Sequence, residues 1–415
     1  MLQPYRTDFN RRFTAAKYQE LLRELDRTTR TRIQFRVCET PCFFARETMD
    51  ELAAIGAELT HQLLDNPAYG TASVEAIPEK YRILGDDTPP HPHFMTVDFG
   101  FVKNSDGTLS PKLVELQAFP SLFGYQPIVA SQYVQTFDLD PGLTSFLGGH
   151  TEASYWSLLR QVILGDHAPE NVVLTEVEPY TQKTLPDFHL YEDRLGIRTV
   201  EIASLQKQGN KLFYDRDGVQ TPIHRIYNRA IADEMERKGT KLSFDLRDEL
   251  DVEWAGHPNW YFRISKLSLP YLDHPSVPKA VFLDDWFKGS DLPEDRSQLL
   301  LKPLYSFAGK GIQFAPSDAD LAAIAPSERH NYLMQERVGF APVIDTPEGP
   351  TQAEVRIMYL WPDGGVLEPV MSLVRLGRGL MMGVDHNRNQ GWVGGSAALF
   401  LNSGEIDPMN SLRVR

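Results

Sequence analysis

The chain is 415 residues long, 42% hydrophobic and 24% charged, with a formal net charge of −14. That length supplies two or three compact lobes with a substantial core, and the composition is that of an ordinary globular protein. The acidic surplus excludes broad electrostatic attraction to nucleic acid or to an anionic membrane, while a local basic pocket stays open.

The opening stretch MLQPYRTDFNRRFTAAKYQELLRELDR has no apolar segment of the secretory type, and Asp8, Glu20, Glu24 and Asp26 argue against a transit peptide. No apolar stretch is long enough to span a bilayer. The two cysteines, Cys38 and Cys42, are too few for a disulfide scaffold and lack a second Cys or His pair for zinc. Packing is their expected role and the cytoplasm the expected compartment.

Phe13, Ala16, Leu21, Leu22 and Leu25 recur at helix spacing, as do Met49, Leu52, Gly56, Leu59 and Leu63. Residues 94–102 and 112–116 read as strands joined by the turn Asn104-Ser105-Asp106-Gly107. An irregular stretch to about Gly149 then leads into a helix over 152–164. A short buried strand follows at Val172 to Leu174, then a helix-like segment, the strand LGIRTVEI, a hairpin over Asp217-Gly218 and a strand ending near Tyr227. Strand, helix and strand at this spacing make a parallel α/β unit. Residues 233–257 are expected to be helical and charged. From Gln298 onward the chain is strand-rich: LLLKPLYSFAGKG (299–311), YLMQERV (332–338), AEVRIMYLW (353–361) and GGVLEPVMSLVRL (364–376). The expected architecture is a doubly wound α/β lobe over 151–270. Beside it stands an α+β nucleotide lobe built from 271–415 and part of 1–150.

Several segments carry candidate chemistry. Lys302 closes the apolar run Leu299-Leu300-Leu301, and Gly309, Lys310 and Gly311 form a turn that lets backbone approach a ligand. A lysine aimed at phosphates is one reading; an exposed hairpin is the other, and the G-x-x-x-x-G-K-[ST] loop is absent. Glu115 and Gln117 share one face of a strand, a carboxylate and an amide oxygen suited to Mg²⁺ or simply a surface face. Arg229 follows a strand of the α/β unit, where ligands bind and where structural arginines are equally common. Around Gln335, Glu336 and Val338 the backbone offers groups for an adenine edge, or an edge strand bearing charges. Glu354 and Arg356 alternate along a strand and either flank a metal and phosphates or form a cross-strand ion pair. The tail holds Arg375 and the possible N–H donors Gly394, Gly395 and Ser396.

In this order the segments resemble the ATP-grasp superfamily, in the permuted arrangement of eukaryote-type glutathione synthetases and glutathionylspermidine synthase-like proteins. VELQAFPSLFGY stands where that arrangement has Glu-x-Asn and a Ser-rich turn. Tyr227-Asn228-Arg229 matches its Tyr-x-Arg, and Lys266, the LKP strand, YLMQERV and Gly394-Gly395-Ser396-Ala397-Ala398 follow in turn. The resemblance spans about residues 95 to 400. It implies an ATP-grasp fold with a Rossmann-like substrate lobe, adenine on 334–338, Lys266 and Lys302 on ATP phosphates, and Gly309 to Gly311 closing over them. It implies Mg²⁺ on Glu115 and Gln117, and Arg229 and Arg375 holding a substrate carboxylate and the transferred charge. Ser121, Gly394 and Gly395 become substrate contacts. The implied reaction joins a small carboxylate to an amine through an acyl phosphate. Two departures stand out: Gln117 replaces the motif's Asn, and Ser306 and Phe307 stand where a flap glutamate is usual, so Glu354 is the alternative third metal ligand. A non-catalytic nucleotide-binding protein and a phosphotransferase are the competing readings. Oligomeric state is not legible in the chain.

Overall fold

The computed structural model describes residues 1–83, 89–304, 311–379, 382, 387 and 389–402. Helices α1 (Gln3–Arg12) and α2 (Ala15–Thr28) open the chain, the second capped by Thr14, whose hydroxyl accepts from the Lys17 amide. The short strand β1 (Cys42–Phe43) carries one of two buried free thiols, so both cysteines serve packing as expected. Helix α3 (Arg46–Leu64) buries the stripe Met49, Leu52, Gly56, Leu59 and Leu63, and α4 (Pro67–Glu75) follows.

Strands β2 (Phe94–Lys103) and β3 (Leu109–Gln117) form the expected hairpin. Within the supposedly irregular stretch lies α5 (Tyr125–Thr136), which is buried on nearly every side and so shows no polar stripe. After β4 (Leu143–Thr144) and α6 (Glu152–Leu164), the α/β unit runs through β5 (Val172–Glu176), α7 (Leu185–Leu195) and β6 (Arg198–Glu201). A small antiparallel sheet, β7 (Gln206–Gln208), β8 (Lys211–Arg216) and β9 (Val219–Ile223), interrupts it before β10 (Arg225–Asn228). The helix expected over 233–257 is only α8 (Ala232–Lys238). Gly239, left-handed at φ 64°, ends it, and β11 (Glu253–Ala255) lies within the expected span.

Beyond α9 (Pro258–Arg263) and a 3-10 turn over Lys266–Tyr271 come β12 (Ala280–Phe282) and α10 (Leu283–Lys288). The strand-rich part then supplies β13 (Leu299–Pro303), β14 (Gln313–Phe314), α11 (Asp318–Ala322), β15 (Tyr332–Glu336) and β16 (Pro342–Ile344). It ends with β17 (Thr351–Leu360), β18 (Glu368–Gly377), β19 (Gly394–Ser396) and β20 (Ala398–Leu401). Among the described residues no helix is long and apolar enough to cross a membrane.

Three sheets position the site. The doubly wound sheet is parallel with order β11-β10-β5-β6, so the chain reverses its winding between β5 and β10. Such a reversal opens a crevice at the carboxyl ends of the two strands. A second sheet, β12-β15-β13-β14, is antiparallel. The third, β19-β18-β17-β2-β3 with β16 on β17, draws strands from both ends of the chain. Side-chain alternation in it sends Val97, Phe99, Val355, Ile357 and Val374 into the core that contains the α3 stripe. The opposite face carries Phe94, Met358 and Met371 into the core under α5 and α6, and farther along it turns polar.

Between these lobes Arg225 donates to Glu253 at 2.5 Å and to Asp363 at 3.0 Å, while His93 shares a 2.8 Å hydrogen bond with the other Asp363 oxygen. These contacts tie the doubly wound sheet to the β17–β18 turn. Gly56 is a second fixed point. An added Cβ there would lie 2.1 Å from the Tyr359 hydroxyl, which donates to the Ala53 carbonyl at 2.8 Å. Gly56→Ala is expected to destabilise the fold by about 1–2 kcal/mol, because overpacking outweighs the helix preference of alanine. Denaturant unfolding measures it, and a variant more stable than wild type would show that α3 shifts freely over β17.

Candidate functional site

Cross-strand register builds the site. Glu115 on β3 lies opposite Asp98 on β2, Asp98 lies opposite Arg356 on β17, and Glu354 lies opposite Arg375 on β18. Asp98 is 1% exposed and accepts from Arg356 through both oxygens, Nε at 2.6 Å and Nη2 at 2.7 Å. Arg375 Nη2 adds a third bond to Asp98 at 2.5 Å and also pairs with Glu354. Gln117 donates to Glu115 at 2.6 Å and accepts from Arg356 at 3.3 Å.

Burial opposes the charges in this row, and pairing restores most of them. For Asp98, the two guanidiniums outweigh burial and lower the carboxyl pKa. Burial keeps the Glu354 carboxyl above the ordinary range although Arg375 pulls it down. The Arg375 pKa rises, because Glu354, Asp98 and Glu115 more than offset its burial.

Across from this face stands Lys302, on the inner strand β13. Its neighbour Leu301 points into the small core beneath, so alternation turns the lysine the other way. Burial pushes its amine down to about 8, with Glu115 and Glu354 resisting and Lys266 adding to the fall. Burial lowers Lys266 too, against Glu115. Between the two faces lies a cavity of about 580 Å³ lined by Glu115, Gln117, Ser121, Lys266, Lys302, Glu354, Arg356 and Arg375, with Tyr81, Phe119, Tyr261 and Phe262 on its apolar side. Its volume and its mixture of apolar walls with convergent charges suit a small-molecule site.

Eight of the sequence-derived candidates therefore meet in one cavity. Others do not. Gly394 and Gly395 lie outside its lining, and their part is structural. The Gly395 amide donates to the Arg36 carbonyl at 2.9 Å, its own carbonyl accepts from Cys38 at 2.8 Å, and a Cβ on Gly394 would lie 2.6 Å from that Arg36 oxygen. Gln335 sits on a strand paired on both sides, and the Glu336 amide donates to Lys279, so the backbone edge expected for adenine is already committed there. Neither they nor Val338 line the cavity. Gly311, at φ 75°, sits against Pro303, whereas Gly309 and Lys310 lie outside the described residues, as do Ser306 and Phe307.

Arg229 occupies the crevice between β5 and β10. It is 4% exposed, with its guanidinium carbon 4.6 Å from the ring centre of Phe119 and Nη2 3.5 Å from the Thr184 hydroxyl. Its Nε and Nη1 have no hydrogen-bond partner among the described residues. Phe119 lines the cavity, so Arg229 stands directly behind that wall. Glu176, at the end of β5, was not singled out from sequence. Burial lifts its carboxyl to about 7 against the pull of Arg229. Because that folded value exceeds the unfolded one, Glu176 favours folding below the ordinary glutamate range. The benefit is lost as pH rises from about 4.5 to about 7. Glu176→Gln should flatten stability over that window, and an unchanged pH–stability profile would show that Glu176 titrates as a solvated acid.

The chemistry implied for Mg²⁺ is matched in part. Glu115 and Gln117 stand two residues apart on one face and could share a cation that takes its remaining ligands from phosphates and water, once the Gln117 amide turns its oxygen from Arg356. Glu354 does not fit as a third ligand, because its carboxylate is the partner of Arg375. Among the described residues no cluster of three or more His, Cys, Asp or Glu side chains is arranged to hold a metal ion.

No protein-family model and no curated protein matches this chain. Its fold is similar to that of a glutathione synthetase-like effector, GSS30, from Globodera pallida, determined in the apo form. The two superpose with a TM-score of 0.57 over 92% of this chain and 98% of that one, at 12% sequence identity. Such identity speaks for the fold alone. The mixed α/β architecture built here from several sheets is a glutathione synthetase-like fold.

Proposed function

We propose that the protein is an ATP- and Mg²⁺-dependent ligase of the ATP-grasp type, joining a small amino-acid- or peptide-like carboxylate to an amine. The observation that carries this reading is the cavity in which Lys302 and Lys266 face Glu115, Gln117 and the Arg356–Arg375 pair. ATP would supply the phosphoryl group that turns the carboxylate into an acyl phosphate, from which the amine displaces phosphate. Lys302 and Lys266 offer positive charge to the phosphates from a buried wall, where each charge is weakly screened. Arg356 and Arg375 are held by Asp98, so their orientation exists before any ligand arrives, the condition for effective electrostatic stabilisation. Arg229, with two nitrogens unpartnered among the described residues, would meet a substrate carboxylate if the Phe119 ring moved aside. Glu115 and Gln117 would hold Mg²⁺, which supplies further charge neutralisation. None of these roles requires a covalent nucleophile; positioning accounts for them.

A second reading, a nucleotide-binding protein without turnover, draws on the pairing of Glu354 with Arg375, which leaves a two-donor metal set. Calorimetric titration with a non-hydrolysable ATP analogue, with and without Mg²⁺, tests both. Mg²⁺-dependent binding followed by phosphate release with some pair of carboxylate and amine supports the ligase. Binding without release for any pair favours the second reading, and no binding at all removes both. Glu115→Gln is expected to raise the Mg²⁺ concentration needed for half-maximal binding about tenfold, since it removes one carboxylate from a sparse ligand set. An identical metal titration would show that Glu115 is no ligand.

A further inference from the structure

Lys302 differs from the other cations of the cavity. Arg375 is paired with Glu354 and Asp98, and Arg356 with Asp98. Lys302, only 8% exposed, has no ion pair or hydrogen bond to its amine among the described residues. The other charged groups lining the cavity are Glu115 from β3, Asp233 and Glu236 from α8, Lys266 from the 3-10 turn, Glu354 and Arg356 from β17 and Arg375 from β18. Neither Glu115 nor Glu354 forms an ion pair with it, so their pull falls short of its burial, to which Lys266 adds. An amine pushed down to about 8 is half neutral at pH 8. An ordinary lysine is then neutral at roughly one part in a few hundred, so about a hundredfold more of the nucleophilic form is present here. The amine also opens onto a cavity rich in groups that bind phosphate.

We propose that Lys302 is a site of covalent acylation by small acyl phosphates entering this cavity. The neutral Nζ attacks the carbonyl carbon, and a C–N bond forms. The C–O bond to the phosphate breaks, and its electron pair leaves with inorganic phosphate. The amine's surplus proton passes to the departing phosphate or to water, leaving a neutral amide. Lys266, Arg356 and Arg375 line the wall where the phosphate would sit and would stabilise its departure. The product has lost the charge that Lys302 would offer to a nucleotide, so acylation closes the phosphate site. The proposal reaches beyond the ligase reading and does not depend on it, because the acyl phosphate can come from solution.

The test is incubation of the full chain with acetyl phosphate from pH 7 to 10, with acetylation of each lysine followed by peptide mass spectrometry. Lys288, an exposed lysine paired with Asp285, is the reference. At pH 8 Lys302 should acetylate at least about tenfold faster than Lys288. Its rate should level off above about pH 9 while that of Lys288 keeps climbing, and excess inorganic phosphate should slow Lys302 alone. A Lys302 rate no greater than that of Lys288, or one that climbs with it across the whole range, overturns the proposal. Acetylation of Lys302 in a protein that binds no ATP analogue supports this site and removes the nucleotide reading. Analogue binding without preferential acetylation removes this proposal and leaves the nucleotide reading standing.

Discussion

Asp98→Ala should cost the folded protein about 3–5 kcal/mol, the range for breaking a buried ion pair by removing one partner. The magnitude follows from what remains. Asp98 takes three charge-assisted N–H bonds and is 1% exposed. Without it Arg375 keeps Glu354, but Arg356 keeps only the 3.3 Å contact to Gln117 and a 4.0 Å approach to Glu115. A guanidinium cannot shed its proton to escape, so the uncompensated charge stays in the sheet. Because the arginines lower the folded carboxyl pKa, the wild-type contribution is present above the ordinary aspartate range and disappears as pH falls through the lower folded value. The difference between wild type and variant should therefore shrink in strong acid. Denaturant unfolding at neutral and acid pH reads both effects. A variant as stable as wild type at neutral pH would mean that the charged row contributes nothing to folding.

Lys302→Ala should weaken binding of the ATP analogue by about ten- to a hundredfold, the equivalent of one charge-assisted contact to phosphate. The same change should leave the fold as stable as before or more so. The lysine's pKa falls from its ordinary range to about 8, so its charge is a burden on the apo protein at pH 7. Weaker binding together with a retained or raised unfolding temperature is the signature of a side chain kept for a ligand. Unchanged affinity would remove the central nucleotide contact, and a collapse in stability would mean that Lys302 serves the fold.

Where periodicity was strong the elements were legible. The stripe of α3, the β2–β3 hairpin, the span of α6 and the Leu299-Leu301 run all emerge close to their observed limits. The α5 segment was not, because a helix buried on all sides has no hydrophilic face to set its period. Asp98 was hidden for a related reason: it interrupts an apolar run that reads as core, and its partner Arg356 lies 258 residues away. Only the register of β2 against β17 makes them neighbours. The tail glycines misled in the opposite direction. They were read as N–H donors for a ligand, but the Gly395 amide donates to the Arg36 carbonyl, and Gly394 makes room for that same oxygen. Glu176 carried a faint signal, since it ends a strand of a parallel unit. Its neighbour Arg229 was read from just that position on β10.

The doubly wound sheet is contiguous, from Val172 to Ala255, and can close as soon as that stretch has been synthesised. The sheet bearing the charged row cannot. The β2–β3 hairpin leaves the ribosome with one edge unpaired and must wait for β17, more than 240 residues later, before that edge is covered. Long-range pairing of this kind is slow and leaves apolar strands exposed meanwhile. The cavity is therefore complete only once β17 and β18 have been made. A nascent or truncated chain ending before residue 351 would hold a finished doubly wound sheet and lack Glu354, Arg356 and Arg375 from the cavity wall. An unfinished copy has no means of engaging the ligand of the complete one.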